Sequence, residues 1–186
     1  MANITLNVDG SIFTFHEGWL AEDFDSWFGK NKGKNSLSGS HLKVKDCDLL
    51  AVSGSEAWLI EAKDYTYKGA KVPRDLGEQF ARKIFDTLAR LLLMQKFSHH
   101  EKNEFAKKIT DAKTIHVCLA VELPDDRYAL SSALMALKEE TEKAVRPMGI
   151  TRVTIANSKF PALSLHKGRG VPWERTRDPQ TRKKHQ

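Results

Sequence analysis

The chain has 186 residues, four Trp and nine Phe, with 40% apolar and 29% charged residues, which is the make-up of one globular domain rather than a disordered segment. No apolar run reaches the roughly 18 residues of a membrane span, and the first ten residues lack the basic and apolar regions of a secretory leader. The formal charge is +6 and there are only two cysteines, Cys47 and Cys118. That count excludes disulfide scaffolds and zinc ribbons and suits buried, reduced thiols in a cytoplasmic protein with no membrane partner.

Residues 3–15 alternate apolar and polar around Asp9-Gly10, which predicts a hairpin. Residues 16–29 change period, with Leu20, Phe24, Trp27 and Phe28 on one face, which predicts a helix that turns Glu17 inward and Glu22 outward. A carboxylate on a core-facing stripe needs a partner. Residues 29–41 are rich in Gly, Ser, Asn and Lys and read as a loop, whose Lys30, Lys32 and Lys34 suit phosphate contact. Two strands follow, 42–52 and 57–63, joined by Ser53-Gly54-Ser55-Glu56.

Residues 64–73 form a loop ending at Pro73, and a long helix runs over roughly 74–98 with Phe80, Ile84, Leu88, Leu91 and Leu92 as its apolar stripe. His99 and His100 follow it, where a histidine pair complements the helix dipole. Residues 114–122 predict a buried strand containing His116 as a structural residue. Residues 131–145 predict a helix stopped by Pro147 and Gly149, and 150–156 a last strand. The order predicts an α/β domain, bordering on α+β, around one central mixed sheet flanked by helices. The body of the domain is expected to span residues 1–166. Residues 167–186 carry seven basic and two acidic groups and few apolar ones, which predicts a flexible basic tail suited to a polyanion. Trp173 would dock that tail on the body or on a partner, while Trp19, Trp27 and Trp58 are core candidates.

Asp48, Glu61 and Lys63 interrupt the two central apolar strands. Glu61 and Lys63 are two apart and share a strand face, and Asp48 lies on the neighbouring strand of the hairpin. Two carboxylates and an ammonium on an apolar sheet are either an ion cluster that satisfies itself or a site for a hard cation such as Mg²⁺. Residues 1–70 hold seven basic and ten acidic groups, whereas residues 71–113 hold ten and six, so the acidic ground for a cation precedes the basic ground for a polyanion.

The pattern Asp48-x12-Glu61-x-Lys63 on strand, turn and strand, followed by a long helix, resembles the PD-(D/E)xK nuclease superfamily with its restriction-endonuclease-like fold. The resemblance covers residues 16–122 and implies an α-β-β-α-β core carrying an N-terminal hairpin. It implies Mg²⁺, which Mn²⁺ can replace, held by Asp48, Glu61 and the carbonyl of Ala62, with Lys63 assisting water. It gives Glu17 the part of a further acidic ligand, and Gln79 and Lys83, four apart on the helix, with Arg90, the part of nucleic-acid contacts. It implies a metal-dependent endonuclease acting on DNA, with RNA open. Such an enzyme fits the effector subunit of a bacterial restriction or anti-phage defence system, working with a protein partner or as a homodimer. The alternative is a catalytically silent nucleic-acid-binding or structural subunit with the same fold. The chain lacks the usual Pro before Asp48, and Asp46 competes with Asp48 as the ligand on that strand. No GxxxxGK[ST] phosphate loop is present, which excludes a P-loop NTPase.

Overall fold

The computed structural model describes residues 2–28, 44–97, 101–124, 127–160 and 170–178. β1 (Ile4–Val8) and β2 (Ser11–Phe15) form the predicted antiparallel hairpin. Asp9 and Gly10 turn it with φ of 49° and 72°, the pair of left-handed conformations that matches strand twist in a two-residue turn. The larger sheet runs β3 (Leu20–Asp23), β4 (Leu49–Ser53), β5 (Glu56–Asp64), β6 (Thr114–Glu122) and β7 (Thr154–Ala156) in that spatial order. β3, β4 and β5 are antiparallel, and β5, β6 and β7 are parallel. This is the mixed sheet expected of an α/β domain.

The two faces of β5 sort by residue parity. Ala57 and Leu59 join Val117, Leu119, Phe80, Ile84 and Leu91 in the core under α1 (Leu76–Phe97), α2 (Asn103–Thr110) and α3 (Arg127–Val145). Trp58, Ile60 and Ala62 face the other way, into a second core with Phe13, Phe15 and Trp173. The large sheet therefore lies between a helical layer and a three-stranded sheet, β1-β2-β8, where β8 is Trp173–Arg177. Burial on both faces explains why β4, β5 and β6 read as nearly continuous apolar runs.

Two expectations are corrected here. Residues 16–28 form β3 and a 3-10 turn at Asp25–Phe28 rather than the helix expected over 16–29, so the leading α of an α-β-β-α-β core is absent among the described residues. Gly18, at φ +88°, ends the path from β2 in a turn. Phe24 and Trp27 then pack edge to face at 4.8 Å, so their three-residue spacing reports a tight turn rather than a helix face. The expected tail beyond residue 166 is also not one unit. β8 pairs antiparallel with β2 in the register Phe15↔Trp173 and Phe13↔Arg175, and Trp173 is only 4% exposed. Strand pairing with β2 satisfies the backbone of a segment whose side chains look too polar to pack.

Cys47 and Cys118 are buried and free. Trp27 and Trp58 are core residues and Trp19 packs at the edge of the second core. Lys30, Lys32, Lys34, His99 and His100 lie outside the described residues. No described helix is long and apolar enough to cross a membrane.

Candidate metal and phosphate site

The site begins where the β4–β5 ladder stops. The last paired residues are Leu49 and Ile60, and the Asp48 amide donates to the Ile60 carbonyl at 3.0 Å. One step further along β5 no β4 residue remains to pair with Ala62. Site side chains take over its backbone groups instead. The Ala62 N–H donates to Asp48 Oδ2 at 2.7 Å, and the Lys63 ammonium donates to the Ala62 carbonyl at 2.9 Å. The obligation to satisfy buried peptide groups thus draws Asp48 and Lys63 to one point.

Glu61 is 1% exposed and faces the helical layer. Lys63 Nζ is 2.8 Å from its carboxylate and 3.8 Å from that of Asp48. From α1, Lys83 Nζ reaches the Glu61 carboxylate at 2.7 Å and Asp48 Oδ1 at 3.4 Å. Two carboxylates and two ammoniums therefore form one tetrad. Burial pushes Glu61 up to about 7 and the Asp48 charge adds to the rise, against the pull of Lys83 and Lys63. For Lys83 burial works against the charge, but Glu61 and Asp48 win and hold its pKa above the ordinary lysine value.

Asp46 belongs elsewhere. α1 presents Lys83, Thr87 and Arg90 as a polar row at spacings of four and three, beside its apolar stripe. Each meets one residue of the segment leading into β4. Lys83 takes Asp48, Thr87 Oγ1 accepts the Cys47 N–H at 2.8 Å, and Arg90 Nη1 lies 2.9 Å from Asp46 Oδ2. Burial pushes Asp46 up to about 6 although Arg90 opposes it. This row separates the two aspartates: Asp48 is in the tetrad and Asp46 is in a separate buried pair.

The expected site residues divide accordingly. Asp48, Glu61, Lys63 and the Ala62 carbonyl come together. Lys83, expected to contact nucleic acid, joins the tetrad. Arg90, expected to do the same, is 6% exposed and occupied by Asp46, so it is corrected to a structural residue. Gln79 is half-buried and donates to its helix neighbour Asp75 at 3.0 Å. Glu17 lies exposed in the turn before β3, because the helix that would have aimed it inward does not form. Among the described residues no group of three or more His, Cys, Asp or Glu gathers. The oxygen donors available to a cation are the two carboxylates and the Ala62 carbonyl. They are hard ligands of the kind Mg²⁺ accepts beside water and phosphate oxygens. Burial and the Asp48 charge together outweigh the pull of the two ammoniums on the Glu61 carboxyl.

Sequence reasoning missed Arg175 and Glu122, which lie behind the site on the other face of the sheet. Arg175 Nη2 donates to the Lys63 carbonyl at 3.2 Å and to Ser11 Oγ at 2.8 Å. Glu122, at the end of β6, lies 3.5 Å from Arg175 Nη1. It accepts the Ser158 N–H and Oγ–H, each at 2.9 Å, and Asn157 Nδ2 at 3.1 Å. The available signal was β8's alternation of Trp173, Arg175 and Arg177.

The fold and site thus define an α/β domain with a mixed sheet and a carboxylate–lysine tetrad at the end of a strand pair. No family model matches the chain, and no solved structure matches it. A cysteine–tRNA ligase of Neisseria meningitidis serogroup A / serotype 4A (strain DSM 15465 / Z2491) is 29% identical over 165 residues, covering 70% of this chain and 23% of that protein. The chain thus spans about a quarter of the length of the curated relative it matches.

Proposed function

We propose that this chain is a metal-dependent nuclease that hydrolyses phosphodiester bonds, with DNA as its first substrate class. The observation that carries the reading is the convergence of Asp48, Glu61, Lys63 and the Ala62 carbonyl at the point where β4 ends. Asp48, Glu61 and Ala62 would hold Mg²⁺ or Mn²⁺, which when bound supplies Lewis acidity to a phosphoryl oxygen and acidifies a water. Lys63 and Lys83 supply two fixed positive charges facing the phosphate, where fixed charge in a poorly hydrated setting acts most strongly. The net charge of +6 favours a polyanionic substrate.

The test is cleavage of supercoiled plasmid, linear duplex, single-stranded DNA and RNA, with Mg²⁺, Mn²⁺ or EDTA. Wild type is compared with Asp48→Ala and Lys63→Ala. The similarity to part of a cysteine–tRNA ligase adds transfer RNA to that panel. Metal-dependent cutting lost in both variants is the expected result, and cutting that survives Lys63→Ala would remove the lysine from the chemistry. One observation favours a second reading, a silent nucleic-acid-binding or structural subunit: two ammoniums match two carboxylates within the tetrad. That reading expects no cutting, no specific divalent-cation site in a Mn²⁺ titration, and salt-dependent binding alone.

A further inference from the structure

We propose that Arg175 is a positioning residue for the candidate site: through the Lys63 carbonyl it sets the direction in which the Lys63 side chain leaves β5. The inference rests on the nuclease reading for its kinetic consequence, but not for its structural one. Lys63 is the penultimate residue of β5; it lies beyond the last β4 pair and is held in the sheet on one edge alone, opposite Val121 of β6. Its ammonium bridges Ala62, Glu61 and Asp48 on the helical side, while its carbonyl accepts from Arg175 at 3.2 Å. The guanidinium is itself held by three contacts, and its backbone by a fourth. Ser11 Oγ accepts from it at 2.8 Å, Glu122 Oε1 lies 3.5 Å away, the Phe13 ring lies under it with its centroid at 5.2 Å, and β8 holds its backbone opposite Phe13. The planar fork of arginine can serve two acceptors at once in a rigid geometry that an ammonium cannot reproduce.

The three-stranded sheet therefore does more than cover a core. It delivers one cation from β8 to the backbone of the residue that carries the site's own cation. Arg175 Nε and Nη1 make no hydrogen bond among the described residues.

The experiment compares wild type with Arg175→Met, Arg175→Lys and Ser11→Ala. Ser11→Ala removes only the hydroxyl that aims Nη2, so it tests the idea even if the arginine variants fold poorly. Two readouts are used on protein shown to be folded by circular dichroism. The first is the ¹³Cε resonance of Lys63 in lysine-labelled protein, assigned by its loss in Lys63→Arg. The second is the kcat and KM split for the best substrate of the cleavage panel, with Mn²⁺ affinity measured in parallel.

Arg175→Met is expected to move the Lys63 resonance and to lower kcat by roughly tenfold to a hundredfold, the cost of a small misplacement of a reacting group. KM and Mn²⁺ affinity should stay within about twofold, and Arg175→Lys should recover only part of the loss. An unmoved Lys63 resonance in folded Arg175→Met and Ser11→Ala overturns the inference whether or not the protein cuts. A moved resonance with wild-type kcat limits Arg175 to structure and overturns it too. Wild type that cuts nothing, with the Lys63 shift present, counts against the nuclease reading and leaves the coupling standing.

Discussion

Glu61→Gln separates the cation-site reading of the tetrad from the self-satisfied ion cluster by the sign of one number. Gln keeps the volume of the buried side chain and removes its charge. In the folded chain the Glu61 carboxyl ionises at about 7 rather than 4.5, first because it is buried and then because Asp48 lies beside it. Between these values the unfolded chain has given up the proton and the folded chain keeps it, so stability falls as pH rises through that window. At about 1.4 kcal/mol per unit, the fall amounts to at most about 3–4 kcal/mol above pH 7.

The glutamine variant escapes this fall. Its two ammoniums still have Asp48 at 3.4 and 3.8 Å, so neither is left without a counter-charge. Urea unfolding in EDTA should therefore show similar stability near pH 4.5 and a glutamine variant more stable by about 1–3 kcal/mol at pH 8.5. Asp46 titrates in both proteins and cancels. Adding Mg²⁺ should raise wild-type stability, by about 2.7 kcal/mol at a hundred times its Kd, and leave the variant unchanged. A glutamine variant less stable than wild type by about 3–5 kcal/mol at pH 8.5 would refute the reasoning and make the tetrad a structural ion network.

Other outcomes follow from the same contacts. Arg90→Met should destabilise by about 3–5 kcal/mol at pH 8, because it strands Asp46 without its 2.9 Å partner. The loss should shrink at pH 5, where Asp46, already raised to about 6, holds its proton. The same variant should leave the salt slope of nucleic-acid binding unchanged, because a buried arginine releases no counterion. Trp173→Ala should cost about 3–5 kcal/mol in urea unfolding, since it empties the second core. Gly10→Ala should cost about 1–2 kcal/mol, because φ of 72° puts its Cβ against the following carbonyl.

What could be read in the sequence was whatever a short period or a local exclusion encodes. Asp9-Gly10 announced its turn because two left-handed residues in succession suit few other pairs. The β4–β5 hairpin and its charged interruptions were legible because apolar strands tolerate Asp48, Glu61 and Lys63 only for a reason. β3 was not legible, since Phe24 and Trp27 have the spacing of a helix and the geometry of a turn. β8 was hidden because its neighbour in the sheet is about 160 residues away, and no local pattern reports a partner at that distance. Arg90 misled for a related reason: an arginine near an apolar stripe looks exposed until the segment holding Asp46 is laid across it.

Placement of the tetrad follows from where a ladder ends. A strand pair that stops inside a protein leaves peptide groups that must find partners without water. Here β4 stops at Leu49 and β5 continues to Asp64. The Ala62 N–H and carbonyl could have been met by neutral side chains or covered by another strand. They are met by a carboxylate and an ammonium instead, and a second carboxylate and ammonium are stacked beside them at greater burial. Satisfying one peptide explains Asp48 and Lys63 but explains neither Glu61, whose charge raises the cost of folding above pH 7, nor the Lys83 that partly offsets it. Peptide satisfaction leaves Glu61 without an explanation, and the Glu61→Gln comparison therefore weighs a ligand role for that position against a structural ion network.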